Sequence, residues 1–318
     1  MRILLPPTQT HTPCPYETEA LLERLQTRGH TVETLPAGRW SALRLFVVAR
    51  HANLLVVGSE VSHACAARLA RLVFGTKYIL LPAEAHLNRF RHWPLFPWLL
   101  RSAYHAAHRA LPLNVATRDA LIHFGVRRQS LLLSPPPAAT VAWEAHAAGT
   151  VVAPLPAHAM HTAPALLRAL ACLLERVPGV QLSLLTTEDA IPALEERIRT
   201  MGLEANARCG SAPCAPGTGG AVAVFCARDE TPEAAFAFSA MASGWPLVVV
   251  RHPLLVDWFK DGETALLVAP GDESGLADAL AQVLENPHRA SLRALAAQER
   301  AAARHRWEDF LDALLPPA

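Results

Sequence analysis

Apolar residues along the chain fall into short runs, separated by turn residues and by amphipathic stretches of helical spacing. Residues 2–5, 31–35, 53–58 and 78–81 read as strands, most of them continuously apolar and therefore covered on both faces. Between them, residues 16–28 place Leu21, Leu22 and Leu25 on one helical face and stop at Gly29, and residues 62–74 form another helix. The second half repeats the alternation, with strands at 150–153, 180–185, 221–226 and 247–250 and helices at 165–176, 192–201 and 276–284. A further strand is expected at 130–133, and 209–220 reads as a loop of small residues. Strands alternating with helices predict an α/β fold with parallel sheets. The 318 residues suffice for two such domains, 1–140 and 150–300, joined by a Pro- and Ala-rich linker and followed by a closing helix within 301–318.

One stretch carries most of the chemistry. A turn-prone entry (Arg228, Asp229, Glu230, Thr231, Pro232) leads into a short apolar helix, which Gly244 ends and Trp245-Pro246 prevents from continuing. Leu247–Val250 then reads as a buried strand. A loop, a helix N-terminus and a buried strand in this order suit an anionic ligand.

This stretch resembles the donor-site signature of retaining GT-B glycosyltransferases of the group-1 (family 4) type, where an E-x7-E pair precedes A-M-A-x-G-x-P-V-V. Here Ala240-Met241-Ala242-Ser243-Gly244-Trp245-Pro246-Leu247-Val248 matches the second half, while the two Glu positions fall on Thr231 and Ser239. Residues 256–272 resemble the family's I-x-x-G-x-x-G-L-L-V-x-P-G-D, and 304–314 its closing W-x6-L helix. The resemblance implies two Rossmann-like domains facing across a cleft, acceptor side first and nucleotide-sugar side second, with the C-terminal helix crossing back to the first. It further implies retaining transfer of a sugar from a nucleotide-sugar donor to an unknown acceptor, without metal or other cofactor, because basic side chains and helix N-termini neutralise the leaving diphosphate.

Carried over residue by residue, the resemblance makes Glu230 the carboxylate nearest the first Glu position, one residue off, and puts His86 or Glu84 in the place of the family's histidine in the loop after the fourth strand; Glu230 and His86 are the catalytic candidates. His161 stands where the family has its diphosphate-gripping Lys, and Pro156 where it has Arg. Thr231, Glu233, Ser239, Ala240, Met241 and Gly244 complete the donor-binding candidates. PPTQTHTPCP replaces the family's glycine-rich loop, and Pro135-Pro136-Pro137-Ala138-Ala139 replaces P-N-G-V-D. These departures open an alternative, a catalytically impaired GT-B protein serving as a partner or scaffold subunit.

With 29 basic and 28 acidic residues, the chain lacks the cationic excess that nucleic acid demands. Six scattered cysteines, an apolar start cut short by Pro6-Pro7, and no apolar run near the roughly 20 residues of a membrane span predict a cytoplasmic location. Cys209-x4-Cys214 has no second pair, so no zinc site is expected. The stretch Arg89–Leu113 mixes Trp93, Phe96 and Trp98 with Arg89, Arg91, Arg101 and Arg109. It suits either peripheral contact with the inner face of a membrane and a lipid-linked acceptor, or a plain cover over the first sheet.

Overall fold

The computed structural model describes residues 1–5, 18–35, 40–58, 61–82, 96–138, 144–145, 149–155, 160, 162–211, 214–215, 220–224 and 232–315. The chain divides into two compact units, Met1–Pro136 with Trp307–Ala318, and Pro137–Arg306.

The first unit runs β1 (Arg2–Leu5), α1 (Thr18–Thr27), β2 (Thr31–Thr34), α2 (Ser41–Ala49), β3 (Leu54–Val57), α3 (Val61–Phe74), β4 (Lys77–Leu80), α4 (Phe96–Ala106), β5 (Arg109–Ala110) and α5 (Val115–His123). All strands are parallel, in the order β2-β1-β3-β4-β5. Leu54, Leu55, Val56 and Val57 have no exposed surface, which is why β3 is apolar at every position rather than at every second one. Helix α5 starts because Asn114, itself buried, accepts the Thr117 amide at 2.6 Å through Oδ1.

Two expectations need correction in this unit. Helix α2 goes unread in the pattern because L-R-L-F-V-V-A is apolar enough for a strand. Only Leu45, Ala49 and Ser41 turn fully inward, a helical spacing of four. The strand expected at 130–133 shrinks to one bridge residue, Leu131, beside Ala110. A 3-10 turn occupies Arg128–Ser130, and β5 itself offers only two residues to pair with.

The second unit runs β6 (Glu144–Ala145), β7 (Thr150–Pro154), α6 (Ala163–Arg176), β8 (Gln181–Leu185), α7 (Ile191–Thr200), β9 (Ala207–Gly210), β10 (Cys214–Ala215), β11 (Ala221–Val224), α8 (Pro232–Ala242), β12 (Leu247–Val250), α9 (Pro253–Val256), β13 (Leu266–Val268), α10 (Glu273–Glu285) and α11 (Pro287–Arg304). Its main sheet is parallel, in the order β13-β12-β11-β7-β8-β9, and β6 pairs with β10 separately. The loop expected from Cys209 is therefore part strand. β9 adds a rung to β8 at Leu184↔Cys209, and burial pushes the Cys209 thiol up to about 11. On one face of the sheet α6 packs against α10. Leu166, Leu167, Leu170 and Leu173 meet Leu276 and Leu280 in one cluster, and Arg168 and Glu273 pair at 2.5 Å across the rim.

The last helix, α12 (Trp307–Leu314), joins the first unit. There Arg24 of α1 lies 4.9 Å over the Trp307 ring, and Arg28 pairs with Asp312 at 2.7 Å. Right-handed crossovers require α1 on one face of the first sheet and α2, α3 and α4 on the other. The α2–α3 and α3–α4 packing agrees with this.

Candidate active site

In a doubly wound parallel sheet, ligands settle outside the carboxyl ends of the strands where the chain reverses its direction of winding. In the second unit that point lies between β7 and β11. From β7 the chain winds outward through β8 to β9, then returns to pair β11 with β7 (Ala221↔Val151, Val222↔Val152) and winds the other way to β12 and β13. The sequence-predicted residues come after these two strands in the chain. His161 comes after β7, and Glu230, Thr231 and Glu233 come after β11.

His161, Glu230, Thr231 and His86 lie outside the described residues. Glu233 is in the first turn of α8, whose dipole favours negative charge beside it. Ser239 is half-buried farther along α8 and brings no carboxylate.

Ala240, Met241 and Gly244 occupy a different place from the one the motif suggests. Ala240 and Met241 have no exposed surface. Gly244 follows the carboxyl end of α8, and an 11-residue helix carries it roughly 16 Å from the end that faces the ligand edge. It builds a Schellman cap. At φ +72 its amide donates to the Met241 carbonyl (3.2 Å), and the Trp245 amide donates to the Ala240 carbonyl (3.0 Å). From α11, Gln298 Nε2 donates to the Ala242 carbonyl at 3.2 Å, and its amide group would lie 3.2–3.3 Å from any Cβ added at Gly244. The A-M-A-x-G-x-P run thus anchors α8 to the sheet and sets the direction of β12.

The second matched run is also built from structural contacts. Asp261 accepts the Leu267 amide through Oδ1 (2.9 Å) and pairs with Arg251 through Oδ2 (2.9 Å). Asp272 caps α10 by accepting the Gly275 amide at 2.7 Å.

Two groups that the sequence reading passed over stand on the ligand edge. Thr186 follows the last residue of β8, is 7% exposed, and its Oγ1 has no hydrogen-bond partner among the described residues. Arg251 follows β12, one strand beyond β11, and its amide donates to the Val268 carbonyl at 2.8 Å. Its pair with Asp261 is about half exposed on both sides, so the contact adds little stability and leaves the guanidinium available. The sequence signal for both was a polar residue immediately after an apolar strand.

Comparison with solved structures gives the fold. The chain resembles Anabaena HepE in complex with UDP and glucose (TM-score 0.71, 16% identity, 96% of each chain covered). It also resembles sucrose-phosphate synthase from Thermosynechococcus elongatus (TM-score 0.68, 14% identity, 97% of this chain and 96% of that one). A third likeness is to the apo lipopolysaccharide outer core galactosyltransferase WaaB (TM-score 0.64, 11% identity, 98% and 99%). At such identities the likeness is one of fold, and that fold is GT-B, two Rossmann-like units with parallel sheets. Residues 236–316 match the family described as "Glycosyl transferase-like". No curated protein matches the sequence.

Proposed function

We propose that the chain is a retaining glycosyltransferase that moves a sugar from a nucleotide-sugar donor to a lipid-linked or glycan acceptor. The reading rests on one observation: the glycosyl transferase-like segment begins inside α8, and α8 follows a strand at the reversal point of the second sheet. The donor diphosphate sits at the β7–β11 edge, where the N-terminus of α8 supplies partial positive charge. Arg251 and His161 supply side-chain cations, and the Thr186 hydroxyl a neutral hydrogen bond. Glu230 is the catalytic carboxylate and His86 the acceptor-side histidine. Glu233, Thr231 and Ser239 meet the sugar and ribose hydroxyls.

A second reading, a GT-B protein without turnover that serves as a partner subunit, draws on Ser239. This half-buried hydroxyl stands where the family has its ribose-binding carboxylate. Thermal shift with UDP-, GDP-, ADP- and TDP-sugars separates the two. Transfer predicts stabilisation by one donor, loss of turnover in Glu230→Gln, and product anomers matching the donor's configuration by NMR. A folded chain indifferent to every donor supports the partner-subunit reading.

A further inference from the structure

Helices α2, α3 and α4 form a layer on one face of the first sheet, and the outside of this layer carries apolar side chains. Trp40 at the start of α2, then Leu43 and Val47, recur every three or four residues along the exposed stripe of that helix. The last turns of α3 expose Leu69, Leu72, Val73 and Phe74, with Leu72 at 64%. On α4, Trp98 is 62% exposed. The Phe74 ring lies 5.2 Å from that of Phe46, which joins the α2 and α3 stripes. Eight of the fourteen large apolar side chains exposed among the described residues fall on this one layer. Isolated exposed hydrophobics are ordinary, but a clustered set marks an interaction surface.

Within the three helices themselves the acidic and basic residues have one sign. Arg44, Arg50, Arg68, Arg71 and Arg101 lie in or directly after the three helices, and these helices contain no Asp or Glu. Arg68 reaches Ser102 (3.4 Å) and Arg71 the Ala106 carbonyl (2.5 Å), so part of the positive charge is held along the α3–α4 seam. The nearby carboxylate on α5, Asp119, is paired with Arg118 at 3.0 Å.

We infer that this face docks the protein on an anionic lipid bilayer. Tryptophan and leucine enter the headgroup boundary while the arginines meet lipid phosphates. A second copy packed through the same face would set like charges against like charges, because a two-fold interface opposes each patch to itself. No described helix is long and apolar enough to cross a membrane, so the contact is a surface one. The expected basic and aromatic contact moves accordingly. On α4, Leu100 and Tyr104 are buried against the sheet and Trp98 alone among its described large apolar residues is strongly exposed, so α2 and α3 supply most of the surface. The inference is independent of sugar transfer.

The test is co-sedimentation of the full chain with vesicles of phosphatidylcholine alone or of equal parts phosphatidylcholine and phosphatidylglycerol, alongside its mass in solution by light scattering. The expected result is a monomer that binds the anionic vesicles selectively and more weakly at high salt. Leu72→Gln combined with Trp98→Gln, and separately Arg44→Glu, each lower binding about tenfold or more without changing the melting temperature. Leu295→Gln, also open to solvent at 52% but on α11, leaves binding unchanged. Equal binding to both vesicles, no binding to either, or a dimer that Leu72→Gln dissociates would each overturn the proposal, the last by making the face a self-interface.

Discussion

At the scale of single residues, the best-conditioned position is Gly244. Its backbone lies in the left-handed region, and Gln298 closes the space where a side chain would go. Gly244→Ala should cost about 1–2 kcal/mol from the left-handed backbone, plus displacement of the Gln298 amide. Urea denaturation measures this, and an unchanged midpoint would show that the cap does not constrain α8. Arg251 belongs at this scale for the opposite reason, since its contacts are exposed and the role proposed for it is toward a ligand. Arg251→Gln should leave the urea midpoint within about 0.5 kcal/mol of wild type. It should also weaken donor binding by roughly tenfold, the size of one charge-assisted hydrogen bond. Calorimetric titration of the bound nucleotide sugar reads that loss.

At the scale of elements, α8 is held by its aromatic contacts as well as by its cap. Phe238 is 1% exposed, stacks on Phe259 at 5.7 Å and meets the tilted His305 ring at 5.1 Å. Phe238→Ala should destabilise the second unit by about 3–5 kcal/mol, seen as an early-melting transition in calorimetry. Element boundaries in this unit were legible where an apolar run met a Gly or Pro, as at Gly244-Trp245-Pro246. Such signals act within a few residues and survive any tertiary context. The helix at Ser41–Ala49 was not legible, because its sequence suits strand and helix alike and only packing against α3 decides between them. The structural part that Ala240, Met241 and Gly244 play was not legible for another reason. A motif marks residues that occur together, and here its members divide between a ligand-facing helix start and a packing end roughly 16 Å away.

At the scale of the whole molecule, pH reaches the first unit through two histidines. His30 and His108, both in the first unit, each hold one ring nitrogen buried without a hydrogen-bond partner among the described residues. Burial first, then the amino terminus and Arg28, lowers the affinity of His30 for a proton; burial, then Lys77, Arg109 and Arg71, does the same for His108. The folded state therefore binds a proton less readily than the unfolded chain. The contribution to stability is full above the unfolded value of about 6.5 and is lost as pH falls through the lower folded values. The urea midpoint of the first unit should drop between neutral and mildly acidic pH, and His108→Gln should flatten that dependence. An unchanged slope in the variant would remove His108 from the explanation.

The parallel order of both sheets follows from the alternation of strands and helices in the sequence, and the reversal point between β7 and β11 follows from that order. The proposed function has a nucleotide sugar bound and used there. Its most direct test is calorimetric titration of the intact chain with the donor panel, followed by a turnover assay on wild type and Glu230→Gln. One donor should bind, and the substitution should leave binding largely intact while abolishing transfer. A folded chain that binds none of the donors, or a Glu230→Gln variant with undiminished transfer, would contradict it.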